Sequence, residues 1–393
     1  MWFFIILVVY VYVGWRLAAP LPPKGRLAVW AVIALFTVCV PITMVAARKA
    51  GPSAWIDALM WAVYLFMGLL LLLLPLLVLR DLGWLAAAGT DALRRAAARN
   101  SAHEVASLLP ADPERRRFLA RATNLGALAL AGGLTGIGLY GARRTPAVKP
   151  VAIRLPGLPA DLEGFRIVQI TDTHISGILG RDHVRRVVDA VNALDADIVA
   201  HTGDLVDGRV SSSRREDVAP LADLRARHGT FFVTGNHDYY YDLEGWLRVV
   251  REMGFDVLLN EHRLVTRKSG RLLVCGVTDF SEGEHVAAHR SDPEAALRGA
   301  PRADVKVLLA HQPKSFRAAQ GRGVDLMLCG HTHGGQFAPW MLLMAATQPF
   351  LAGLYRRGDM QVYVSRGTGH YGPPLRLAAP SEITLLTLTG DET

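Results

Sequence analysis

Cysteine is nearly absent from the 393 residues: Cys39, Cys275 and Cys329 are far apart, odd in number and each set in an apolar run. No Cys-x-x-Cys pair and no regular spacing exists, which excludes a disulfide framework and a thiolate zinc module. The three read as small buried hydrophobes. Acidic charge is scarce up to Pro150, with 6 Asp and Glu against 16 Lys and Arg, whereas the remainder carries 29 against 27. The net charge of +8 is therefore a +10 segment followed by a −2 segment. A nucleic-acid binder carries its basic stripe on the folded domain; the excess here lies elsewhere, so nucleic acid is not an expected partner. Ionisable residues are also few inside the long apolar runs, so the intramembrane charge pathway of a transporter is missing.

The first part of the chain has apolar length instead. Residues 1–15 are almost continuously hydrophobic and end at Arg16; residues 27–47 form a second run containing Pro41, and residues 55–79 a third in which Leu69 to Leu74 is unbroken. About 20 residues cross a bilayer core, so the first run is short, but Arg16 can snorkel and Trp2 and Trp15 suit the interfaces. The missing basic residues ahead of it speak against a cleaved signal peptide. A polar, arginine-rich link over 81–117 leads to residues 118–140, a fourth segment rich in Gly and Ala that reads as a further span, an export-signal-like helix or a linker helix. Arg115-Arg116-Arg117-Phe118-Leu119 matches the core of a twin-arginine export signal. An arginine cluster at a membrane edge produces the same pattern. If all four segments span, the loops 16–26 and 80–117 share one side with ten basic residues against five on the other. Positive-inside bias then places the C-terminal part outside the cytoplasm; three spans would reverse this.

After Pro150 the texture becomes that of an α/β domain. Short β-branched runs end in polar clusters: 166–170 before Asp172 and His174, 197–200 before Asp204, 230–233 before Asn236-His237-Asp238, 305–309 before His311, and 324–329 before His331 and His333. Helical patterns over 183–194, 216–227 and 243–253 lie between them, and 263–277 reads as a hairpin around Lys268-Ser269-Gly270. Metal-type residues thus fall just past strand ends, where open α/β sheets place their sites.

One at a time, Asp172 or Asp204 would be a turn or cap residue and Asn236 a left-handed turn residue. As a set, Asp172-x-His174, Gly203-Asp204-x-x-Asp207, Gly235-Asn236-His237-Asp238, His311 and Gly330-His331-x-His333 resemble the calcineurin-like metallophosphoesterase superfamily, with the membrane-attached bacterial branch the most similar. The resemblance covers residues 150–393. It implies a four-layer αββα sandwich of the metallo-dependent phosphatase type, preceded here by three or four transmembrane helices. It further implies that Asp172, His174 and His333 hold one divalent ion, that Asn236, His311 and His331 hold another, and that Asp204 bridges them. Mn, Fe, Zn or similar ions suit such nitrogen and oxygen donors. Two ions neutralise a phosphate ester and generate a hydroxide for direct attack on phosphorus. By the same resemblance His237 would assist the phosphoryl group or the leaving oxygen. Asp238 would orient His237 or a ligand, and Asp207 is either part of the site or the cap of the next helix.

Further residues bear on substrate. Tyr239-Tyr240-Tyr241 could stack on a base or sugar or pack as ordinary aromatics, and Arg366 could reach a phosphate or pair with a surface acid. His201 and His370 lie near the motifs but read better as packed or solvated histidines. Residues 337–355 are apolar and end before Arg356 and Arg357; they read either as a core helix or as a flap dipping into a membrane interface. The expected function is hydrolysis of a phosphodiester or pyrophosphate bond, a lipid-linked substrate among the candidates, at a multi-pass site in a bacterial cytoplasmic membrane. A phosphomonoesterase of the same mechanism and a membrane scaffold or sensor with an inert metal site are the alternatives.

Overall fold

The computed structural model describes residues 2–49, 53–98, 107–108, 110 and 112–390. They form two compact units, Met1–Met44 with Ala62–Ile137, and Val45–Trp61 with Gly138–Thr393. The first holds helix α1 (Trp2–Ala18) and most of α2 (Pro23–Lys49), α3 (Ala54–Ala97) and α4 (Pro113–Arg143), while the end of α2, the start of α3 and the end of α4 belong to the second. Of these, α2, α3 and α4 are long and apolar enough to cross a membrane, whereas α1 is shorter. Leu27, Leu35, Val38 and Leu125 are exposed on them, a surface suited to lipid.

The helices outrun the sequence expectation. α3 has 44 residues and continues past Leu79 through the first part of the supposed link, so residues 81–97 are helix. Leu, Ala and Arg favour that continuation, and the charge it carries is matched: Asp81 lies 2.5 Å from Arg16 Nε, accepts from the Tyr12 hydroxyl at 2.6 Å, and pairs with Arg80 at 2.7 Å. α4 opens at Pro113, a residue that fits the first helical position, so Arg115 to Arg117 stand in its first turns.

The second unit is an α/β sandwich. One sheet runs in the order β1 (Ala147–Arg154), β12 (Glu382–Thr389), β2 (Arg166–Ile170), β3 (Ile198–His201), β4 (Thr230–Phe232), β5 (Asp256–Val257). The other runs β10 (Gly353–Arg357), β11 (Met360–Val364), β9 (Leu326–Cys329), β8 (Val305–Leu309), β7 (Gly270–Gly276), β6 (Glu261–Arg267). Strands β2 to β5 are mutually parallel, as are β7, β8, β9 and β11. Alternation along each strand separates the layers. Ile167, Ile198 and Phe231 of the first sheet meet Leu272, Val307 and Leu328 of the second in one core, while Val168 and Val199 turn outward to Val187, Trp246 and Val250. Those belong to α5 (Arg181–Asn192) and α8 (Leu243–Glu252), with α6 (Ser212–Val218) and α7 (Asn236–Tyr240) between. On the outer face of the second sheet, Cys275 and Met327 pack with Ala296 of α9 (Pro293–Leu297) and Ala319 of α10 (Phe316–Ala319). The last helix, α11 (Trp340–Thr347), follows β9. Between the sheets, buried Gln169 donates to Thr202 Oγ1 at 2.9 Å and to the Cys329 carbonyl at 3.1 Å, fastening β2, β3 and β9 beneath the place where they end.

Candidate metal centre

Each expected ligand sits just past the carboxyl end of a parallel strand: Asp172 and His174 after β2, Asp204 after β3, Asn236 after β4, His311 after β8, His331 and His333 after β9. The backbone at five of these positions, Asp172, His174, Asp204, His331 and His333, has positive φ. Asp and His tolerate that region better than most residues, and each such conformation costs roughly 1–3 kcal/mol. The strain turns the side chains inward, and glycine makes room. A Cβ on Gly330 would fall 2.1 Å from Asp172 Oδ2, and one on Gly235 2.2 Å from Asp204 Oδ1. In return the exposed backbone N–H groups serve the carboxylates, with His331 N donating to Asp172 at 3.0 Å and His237 N to Asp204 at 2.8 Å.

Two of the three groups of potential ligating atoms found among the described residues hold the expected ligands. Ligating atoms of Asp172, His174 and His333 lie within 4.8 Å of one another, as do those of Asp204, His311 and His331. Asn236 Oδ1 joins the second group, 3.2 Å from His311 Nε2. Asp204 Oδ2 is 3.2 Å from His311 Nε2 and 3.5 Å from His174 Nε2, between the two groups. His174 Nε2 faces His333 Nε2 at 3.1 Å, and His331 Nδ1 faces His311 Nε2 at 3.3 Å. Two imidazole nitrogens so close need a proton between them or a cation beside both, and a donor set of carboxylate, amide oxygen and imidazole suits a divalent metal.

Electrostatics divide the site histidines: burial lowers the His311 imidazole, but Asp204 and then Asp172 lift it to about 10. Burial alone would raise the Asp172 carboxyl, but His333, His311 and His174 outweigh it and hold the group well below the usual range. Asp204 is likewise raised by burial and brought down further by His311 and His237. His331 and His333 are driven down by burial to about 3 and about 4, which leaves them free of protons and ready to ligate.

His237 lies beside the expected ligands, its ring 4.6 Å from that of His174, but nearer to solvent. Its side chain is 17% exposed, where those of His174, His311, Asp172 and Asp204 are at most 3%. Asp207 Oδ1 lies 2.7 Å from His237 Nδ1 and 3.0 Å from His174 Nδ1. Asp207 is thus a shared partner of two site histidines, and His174, Asp207 and His237 form a third group with ligating atoms within 4.8 Å of one another; the cap of α6 is Ser211 instead. Burial lowers the His237 imidazole, but Asp207 and Asp204 lift it to about 9. Asp238 does not touch the His237 ring: its carboxylate accepts from the backbone N–H of Gly235, Leu205 and Asp204 at 2.7, 3.0 and 3.1 Å and ties the β3 and β4 loops together. Arg366 is committed to buried Glu382 at 3.0 Å. His201 is a core histidine, 3.1 Å from Thr173 Oγ1. Tyr240 holds its ring 5.1 Å from His237, while Tyr239 bonds to His289.

A model of the calcineurin-like phosphoesterase family matches residues 165–335. A metallophosphoesterase of Helicobacter pylori, strain J99, is 36% identical over 278 residues, 70% of this chain and 73% of that protein. The chain belongs to the calcineurin-like phosphoesterase family. A transmembrane protein with a metallophosphoesterase domain from Danio rerio is 39% identical over 270 residues, 67% of this chain, which spans 62% of that relative's length. Relatives of this phosphoesterase domain therefore occur in animals as well as bacteria. Among solved structures, the 5'-nucleotidase precursor of Thermus thermophilus shares 16% identity over 57% of this chain and 54% of its own, with a TM-score of 0.33.

Two residues of this phosphoesterase site are missing from the sequence expectation. Arg376, fully buried, donates to His333 Nδ1 at 2.8 Å and to the carbonyls of His333, Arg366 and Ala379, pinning the last ligand loop. The Tyr371 ring lies 5.2 Å from His333 and 5.8 Å from both His174 and His237. Both belong to the string Tyr371-Gly372-Pro373-Pro374-Leu375-Arg376, whose turn-rich composition with one aromatic and one cation was the available signal.

Proposed function

We propose that this chain is a membrane-anchored phosphoester hydrolase that cleaves a phosphodiester or pyrophosphate bond in a lipid-linked substrate. The observation that carries the reading is a pair of buried ligand groups with Asp204 between them and His237 at their open side. Asp172, His174 and His333 would hold one divalent ion and Asn236, His311 and His331 the other. When bound, such ions neutralise the phosphoryl oxygens and lower the pKa of water into the neutral range. Asp204 holds the two groups in register, and Asp172 keeps its charge through the histidines around it. His237, held protonated by Asp207, donates a hydrogen bond to the phosphoryl group or a proton to the leaving oxygen. Its placement outside both ligand groups leaves it free for that task.

The anchor supports a site outside the cytoplasm. The segments 45–61 and 138–143 belong to the unit that carries the centre, and Arg214 pairs with Asp57 at 2.7 Å near the start of α3. The start of α3 and the end of α4 then share its side of the bilayer. The loops 16–26 and 80–117, with their ten basic residues, take the cytoplasmic side. A C-terminal reporter fusion active only outside the cytoplasm tests this; activity of a cytoplasm-only reporter would reverse it.

For the chemistry, bis-p-nitrophenyl phosphate is compared with the monoester in added Mn²⁺, with His237→Ala as control. Diester turnover exceeding monoester turnover and falling by about 10²–10⁴ in His237→Ala is expected. Preference for the monoester would assign a phosphomonoesterase, and turnover unchanged by the substitution would reject the mechanism.

A further inference from the structure

α11 is an unusual element for the surface of a soluble domain. Its sequence, Trp340-Met341-Leu342-Leu343-Met344-Ala345-Ala346-Thr347, has no charged residue and no polar face, yet only Met344 is buried. Leu342 is 70% exposed, whereas no other large hydrophobic of the described residues after Tyr140 exceeds 41%. No Asp, Glu, Lys or Arg occurs from 326 to 355, and Arg356 and Arg357 follow, both exposed. A helix apolar on all sides fits a bilayer or a protein interior rather than water.

The chain itself says which of these is near. α4 ends against the segment Leu375 to Leu377: Arg376 N donates to the Gly138 carbonyl at 2.9 Å, and a Cβ on Gly141 would come 2.8 Å from the Arg376 carbonyl. Leu377 N in turn donates to the carbonyl of buried Gln336 at 3.0 Å, four residues before α11. Two hydrogen bonds therefore connect the end of a membrane-spanning helix to the base of α11. Interface residues mark the same end of the helices in this unit. Trp55 is 62% and Tyr140 72% exposed, and the Arg143 guanidinium lies 5.9 Å over the Trp61 ring. Trp, Tyr and Arg collect where hydrocarbon gives way to headgroups.

We propose that α11 lies in the interfacial layer of the bilayer that carries α4, with Leu342 and its neighbours among the acyl chains and Arg356 and Arg357 at anionic headgroups. Because His333 is only seven residues before Trp340, the ligand loop then faces the lipid surface, and a phosphoester carried by a membrane lipid reaches the centre without leaving the bilayer. The occupant of the exposed face is lipid. The inference rests on the membrane-anchored half of the proposed function and is independent of hydrolysis.

The test uses the full chain in a Cys39→Ser background, in which Cys275 and Cys329 are buried. Leu342→Cys and, separately, Ala346→Cys are labelled with an environment-sensitive fluorophore and reconstituted into vesicles of phosphatidylcholine with phosphatidylglycerol. Lys268→Cys, at a hairpin turn where the native side chain is 80% exposed, is the aqueous reference. The expected result is blue-shifted emission at 342 and 346, with quenching by lipid-borne nitroxide roughly threefold stronger than at 268 and aqueous iodide ineffective. Iodide quenching at both positions equal to that at 268 would overturn the proposal. The readout needs no turnover, so its failure is distinct from a failure of the catalytic reading.

Discussion

The two sheets bring different chemistry to the centre they share. Strands β2, β3 and β4 end in oxygen donors, Asp172, Asp204 and Asn236, with His174 and the solvent-facing His237 among them, whereas β8 and β9 end only in imidazoles, His311, His331 and His333. The carboxylates are almost completely buried, an unfavourable position for a charge without compensation. Much of that compensation crosses the sandwich: His333 and His311 act most strongly on Asp172, and His311 on Asp204. The charges of the two carboxylates are thus balanced by imidazoles of the opposite sheet, and the candidate centre depends on the packing of both.

That contrast makes unequal predictions. Asp204→Asn removes the oxygen lying between both groups, so metal content should fall from about two ions per chain to below one, and kcat/KM for bis-p-nitrophenyl phosphate by at least about 10³. His311→Asn takes one imidazole from the second sheet and should leave about one ion in the group of Asp172, His174 and His333. Elemental analysis with kinetics checks both, and equal ion loss in the two variants would dissolve the distinction between the sheets.

Asp207→Asn should act on protonation rather than on metal content. His237 at about 9 owes its elevation, against burial, to Asp207 and then Asp204. A group that works protonated loses activity as pH rises through its pKa, so weakening Asp207 should move the basic limb of kcat/KM down by about one unit or more and reduce the rate at pH 8 at least about twofold, with ions retained. An unmoved basic limb would assign Asp207 to His174 alone.

The smallest effect lies away from the centre, at His183. Both ring nitrogens of this buried residue lack a partner, and burial, helped by Arg186, pushes its pKa down to about 4. Above pH 6.5 the ring is neutral folded or unfolded. As pH falls from 6.5 toward 4 only the unfolded chain takes the proton, which removes up to roughly 2–3 kcal/mol of stability. His183→Leu should flatten that acid slope in melting curves between pH 4.5 and 7.5; an unchanged slope would place the acid sensitivity elsewhere.

The candidate ligands could be picked out because each is a chemically telling residue in a short turn, glycine-flanked in Gly330-His331-Thr332-His333 and Gly235-Asn236-His237. Local sequence contains that signal. The strands before them were legible for the same reason, to within a residue or two at their ends. Arg376 was not, because its tie to the site runs through His333, 43 positions earlier, and Arg366 was left open between a phosphate and a surface acid because its buried partner Glu382 lies on another strand. The length of α3 was hidden by Arg80 and Asp81, which look like the edge of a span until Arg16 and Tyr12 of α1 arrive to match them.

The position of β12 carries a consequence for the order of assembly. It lies between β1 and β2, pairing with β1 from Ala147↔Glu382 to Arg154↔Thr389. β1 follows α4 after three residues, so it emerges early and waits for a partner more than two hundred positions later. Contacts so distant in sequence form slowly. Glu382 N closes onto the Gly367 carbonyl, and Thr368 N onto that of Thr171, beside the first ligand. Synthesis must reach β12 before these loops are fastened, so the candidate centre closes only when a strand more than two hundred positions after β1 arrives.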